Sequence, residues 1–82
     1  MNVDDLLAQL RRRPFVPFRL VMTDGTTYQV SHPDFVMPGR RSVVIGYPDE
    51  RRPGLISRFD VVSYLHVMRL EFESADAPAV QQ

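Results

Sequence analysis

The chain has 82 residues, ten acidic and ten basic, with a formal net charge of zero and no cysteine. So short a chain makes one small domain that buries only about 60% of the surface its unfolded form exposes, and without cysteine it has neither a disulfide nor a thiolate metal site to compensate, which leaves packing or self-association. Balanced charge supplies no long-range field for nucleic acid or acidic lipid; apolar runs of only a few residues, with Asp4 and Asp5 near the start, lead us to expect a cytoplasmic protein with neither membrane span nor signal peptide.

Residues 2–13 read as a short amphipathic helix, because Val3, Leu6, Leu7 and Leu10 recur at helical spacing. Asn2 suits the N-cap, Asp4 and Asp5 sit in the first turn, and Arg11, Arg12 and Arg13 sit in the last, where they complement the helix dipole. Pro14 ends the helix, and its leucine face needs the sheet or another subunit to pack against. All ten cations are arginine, which reads either as a need for planar donors toward carboxylate or phosphate or as the codon usage of a GC-rich genome.

Pro14 and Pro17 hold the chain extended into a β-hairpin around Asp24 and Gly25. The apolar pattern selects its register. A two-residue turn would leave both faces mixed, whereas a three-residue loop of Thr23, Asp24 and Gly25 sets Leu20 opposite Tyr28 and Phe18 opposite Val30. Phe18, Leu20, Met22, Tyr28 and Val30 then face inward, Arg19, Val21, Thr27 and Gln29 face outward, and Gly25 takes a positive φ angle.

Beyond the hairpin, His32, Pro33 and Asp34 break the second strand, an apolar segment starts at Phe35, and Pro38-Gly39 suits the centre of a type II turn. Residues 42–46 read as a central strand buried on both faces, residues 49–54 as an exposed loop, and Leu55–Phe59 as a fourth strand. A 3₁₀ turn is expected within residues 60–64. Residues 65–72 close the domain as a fifth strand, with His66, Met68, Leu70 and Phe72 in phase toward the core and Val67, Arg69 and Glu71 on the other face. Residues 73–82 read as a disordered tail. The expected fold is therefore mainly β: a helix (2–13) and a small five-stranded SH3-like or Sm-like barrel (15–72) in one domain, residues 1–72.

The string Arg13-Pro-Phe-x-Pro-Phe-Arg-Leu20, with Asp24-Gly25, His32-Pro33, Gly39-Arg-Arg-Ser42, Ile45-Gly46 and Leu65-His-Val-x-Arg-Leu-Glu71, resembles a family of small uncharacterised bacterial proteins. That resemblance implies a bacterial origin and brings no activity or site residue with it. The element order, and the Leu20 to Gly25 stretch, also resemble Sm-like proteins, including the bacterial RNA chaperone of that fold, which implies ring assembly and uridine binding. The chain departs from that pattern in lacking the glycine of the bent second strand, an asparagine after Asp34, and the Ile-Arg-Gly signature of the last strands.

No catalytic, metal or cofactor set stands out. His32, Asp34 and Ser42 are the nearest approach to a nucleophile, base and orienting carboxylate, and two histidines with scattered carboxylates make a poor metal set. The expected function is a non-catalytic binding or assembly module, its partner a second copy or another protein. The alternative is binding of RNA or another single-stranded nucleic acid through Arg11 to Arg13, Arg40, Arg41, Arg51 and Arg52, with Tyr47 and Phe35 as stacking faces and His32 as a further candidate binding residue.

Overall fold

The computed structural model describes residues 1–72, and the segment expected to be a disordered tail lies outside them. Helix α1 spans Val3–Arg11, with Asn2 as N-cap, its side chain accepting the Asp4 amide at 2.8 Å. It is shorter than the expected 2–13 because the chain turns extended at Arg12, ahead of the Pro14 ring that excludes helical backbone. The Arg13 guanidinium donates to the carbonyls of Leu10 and Arg12 at 2.9 and 2.7 Å, so the last of the three arginines serves the orphan carbonyls of the helix end.

Six strands follow: β1 (Phe18–Met22), β2 (Thr27–Val30), β3 (Val36–Pro38), β4 (Ser42–Pro48), β5 (Ile56–Ser63) and β6 (Val67–Phe72). They form two antiparallel three-stranded sheets, ordered β2-β1-β6 and β3-β4-β5. The sheets do not close into the five-stranded barrel expected. A 3₁₀ turn at Pro33–Phe35 divides the ribbon between β2 and β3, and Pro33, with no N–H to donate, cannot extend a ladder across that gap.

The hairpin register is the expected one, Leu20 against Tyr28 and Phe18 against Val30, with Gly25 at φ +91° and the Asp24 carboxylate accepting the Thr26 amide. Val21 is the exception: it lies on the outer face between Thr27 and Arg69 and is nevertheless buried. Further along, Pro38-Gly39 is not a type II turn, since Gly39 lacks a positive φ. Instead the Gly39 N–H donates to the Ser42 carbonyl at 2.7 Å, leaving Arg40 and Arg41 at the tip, and a Cβ on Gly39 would stand 2.9 Å from that carbonyl oxygen.

Strand β5 runs on through Asp60 to Ser63, because Val62 fills the core opposite Val43; the 3₁₀ turn therefore falls later, at Tyr64–His66, where the Ser63 hydroxyl accepts the Leu65 amide. The turn takes up His66, which is exposed rather than core-facing. A bulge between Val21 and Met22 in the β1–β6 pairing shifts the start of β6, so that Val67 turns inward and Met68 outward. Leu6 and Leu10 of the helix pack with Phe18, Leu20, Val30, Val43, Ile45 and Val62 of the two sheets in one core.

On the outer side of the first sheet, Glu71 accepts hydrogen bonds from Arg69 at 2.6 Å and Arg19 at 3.1 Å, in that order the reason its carboxyl sits below the usual 4.5. A carboxyl held below its ordinary value contributes stability that is complete above that value and lost as the pH falls through the lowered one. Glu71→Gln should therefore lower stability slightly at neutral pH and flatten the acid limb of the stability curve below about pH 4.5 by the same amount, so that the two chains converge in acid, which denaturant titrations across the acid range will test.

Candidate functional site

In the second sheet, β4 is the middle strand, and its successive residues point to opposite faces. Val43 and Ile45 are buried in the core, but Val44 on the other face is only half-buried, so the strand is central without being buried on both sides. The register lays out that outer face in rows: Met37, Val44 and Val61 lie side by side, Gly46 lies beside Phe59, and Pro48 beside Ile56. Ser42 and Ser63 complete it. Among the described residues, no charged side chain belongs to these rows, yet Met37, Phe59 and Val61 are 66%, 59% and 61% exposed.

A pit lies beside Gly46 in this face. It has a volume of about 170 Å³ and is lined by Phe35, Met37, Val44, Gly46 and Ile56, with Asp34 also contributing. A Cβ on Gly46 would stand 3.1 Å from Ile56 Cγ2 and 3.2 Å from the Phe35 carbonyl oxygen, so glycine is what lets these two walls of the pit close in on the strand.

Strand β5 is set against its own pattern. Arg58, Phe59, Asp60 and Val61 alternate charged and apolar, and taken alone would send Phe59 and Val61 inward. The pairing of Val62 with Val43 reverses this, giving the core side to Arg58 and Asp60. There Tyr47 absorbs the charges: its hydroxyl donates to Asp60 Oδ2 at 2.9 Å, Arg58 Nη1 donates to the same oxygen at 3.1 Å, and the Arg58 guanidinium lies 4.0 Å over the Tyr47 ring. Burial first, and the bond to Asp60 second, push the Tyr47 hydroxyl up to about 12.

The residues singled out from sequence do not converge. Arg40 and Arg41 occupy the β3–β4 tip, anchored by Tyr64, whose hydroxyl donates to the Gly39 carbonyl at 2.8 Å and whose amide donates to the Arg41 carbonyl. Arg51 and Arg52 lie in the β4–β5 loop, their amides held by the Asp49 carboxylate. The full length of β4, seven residues or about 20 Å at ~3.3 Å per residue, separates the two doublets. Tyr47 presents no free stacking face on the side Arg58 covers. His32 lies exposed at the start of the first 3₁₀ turn, edge-on to Phe35 at 6.1 Å; it lines a shallow cleft with Tyr47, but Ser42 lies at the far end of β4 from Asp34. Among the described residues no group of three potential ligands is placed to hold a metal ion, and no helix is long and apolar enough to cross a membrane.

The residues that matter most here, Met37, Val44, Phe59 and Val61, were not legible as a site. Each is an ordinary strand residue, and the only signal was apolar material on both sides of β4. Comparison of the chain with protein-family models, with curated proteins and with solved structures finds no match. The functional reading rests on the outer face of the second sheet.

Proposed function

We propose that the protein is a non-catalytic binding module whose working surface is the outer face of the second sheet, and that this surface docks an apolar surface of a protein. One observation carries the reading: three strands present an uncharged, largely exposed apolar face, and contiguous patches of that kind mark interaction sites. The separation of the arginine doublets, and the guanidinium already lying on Tyr47, favour a protein partner over nucleic acid. Strand connections support reading the fold as an opened SH3-like or Sm-like barrel, since β1 pairs with both β2 and β6, and β5 reaches β6 through a 3₁₀ turn. A cytoplasmic setting accords with the absence of cysteine.

A photoreactive phenylalanine analogue at position 59, in cells that produce the protein, should give a discrete cross-linked protein adduct, while the same analogue at Thr27 on the first sheet should give none. Equal labelling at the two positions, or no adduct at 59, would reject the reading.

A further inference from the structure

We infer that the partner on this face is a second copy of the chain, packed sheet to sheet across a two-fold axis that crosses the strands between the Val44 and Gly46 rows. This rests on the docking role proposed above and adds the identity and orientation of the partner. A two-fold contact must be self-complementary, each residue meeting the counterpart of the one it is met by.

The register supplies that complementarity. With the axis so placed and the two sheets near alignment, as sandwiched sheets pack, Val44 of one copy stands over the partner's Gly46, where a side chain is missing. Val61 meets the partner's Phe59, and Met37, the most exposed side chain of the three-residue row, stands over the partner's pit beside Phe35. Bulk thus meets a gap on β3 and β4, and apolar meets apolar on β5. A rotation about an axis along the strands has no such match, because it keeps like rows together and sets Gly46 over the partner's Gly46 row.

Charge at the two ends agrees with the same axis. The β3–β4 tip carries Arg40 and Arg41, and the opposite end of the face carries Asp34, Asp49 and Glu50 against Arg51 and Arg52. Reversal of strand direction across the axis brings each positive end toward the partner's net negative end, an arrangement that fixes orientation more than it adds affinity.

Area sets the size class of the contact. The exposed parts of Met37, Ile56, Phe59 and Val61 amount to about 400 Å² of apolar surface, within the range of the largest patch on a monomer. Two such faces with their polar rims bury about 1,000 Å², the lower bound for a specific interface. A contact at that bound belongs with the weak, reversible interfaces.

Sedimentation equilibrium on the full chain, from low micromolar to millimolar concentration, should show a reversible monomer–dimer equilibrium. Val61→Asp should abolish it while leaving the dilute monomer's thermal midpoint within a few degrees. Because the chain has no cysteine, a mixture of Phe59→Cys and Val61→Cys chains should form the mixed disulfide several-fold faster than either variant forms its own. A mass of one chain at every concentration, a dimer that survives Val61→Asp, or no preference for the mixed disulfide each overturns the proposal. The photo-adduct at position 59 separates this from failure of the docking role: an adduct of twice the chain mass supports self-pairing, whereas an adduct with a different protein overturns self-pairing and leaves the face a docking surface, and a reaction confined to one chain overturns both.

Discussion

Phe18→Ala is expected to cost about 3–5 kcal/mol and to leave the protein close to unfolded at room temperature. Phe18 is fully buried in β1, register-paired with Val30 on one side and Phe72 on the other, with the Phe15 ring 6.0 Å away. Deleting its ring removes the largest fully buried side chain of the core. A chain of this length is stable by roughly 4–12 kcal/mol, at about 0.05–0.15 kcal/mol per residue, so one such cavity consumes much or all of the margin. Phe59→Ala, the same chemical change on the outer face of the second sheet, should cost under about 1 kcal/mol in the dilute monomer. Guanidinium denaturation of the two variants side by side measures the difference. Equal losses would mean that Phe59 is packed within its own protomer, and the docking face would not exist.

The contrast between these two phenylalanines also marks how far the fold could be read from the chain. Phe18 was legible as core because its hairpin is local: the apolar pattern admits one register, and Gly25 supplies the positive φ that register needs. The helix was legible for the same reason, its leucines and Asn2 cap lying within one short segment. Phe59 was not. Which face of β5 points inward depends on Val62 meeting Val43, nineteen positions earlier in sequence by their numbers, and on Tyr47 being present to receive Asp60. Neither is visible in the local alternation of Arg58 to Val61. Closure of the barrel was likewise a long-range property, decided by whether a three-residue turn at Pro33–Phe35 lets the ribbon continue. Of the candidate site residues, the arginine doublets are where the turns put them, and what was missing was their separation, which only the length of β4 supplies.

Asp60→Ala is expected to cost about 1 kcal/mol, the net worth of hydrogen bonds whose partners water can still reach, since the side chains of Arg58 and Asp60 are 65% and 36% exposed. Asp60 Oδ2 takes hydrogen bonds from both the Tyr47 hydroxyl and Arg58, and Asp60 stands on the core side of β5, opposite Ile45. Tyr47→Phe should cost less, since Arg58 still serves the carboxylate. The double variant should fall short of the sum of the two by about 0.5 kcal/mol, as groups in one network do. A second readout separates this network from simple packing. With the hydroxyl at about 12 and an ordinary tyrosine at 10.0, the unfolded chain ionises first as the solution is made alkaline, so stability should fall progressively from pH 10 toward 12. Tyr47→Phe should remove that part of the alkaline loss. In Asp60→Ala the Tyr47 absorbance titration should move partway back toward 10, and only partway, because burial, the larger cause, remains. The same substitution bears on the outer face: a one-residue slip of β5 would exchange its two sides and carry Phe59 and Val61 into the core, and the Asp60–Tyr47 bond is one of the contacts opposing that slip. If Asp60→Ala leaves dimerisation intact, the pairing of Val62 with Val43 alone holds the register; if dimerisation weakens beyond what the loss of folded protein explains, the inward-facing charge is part of what keeps the docking face outward.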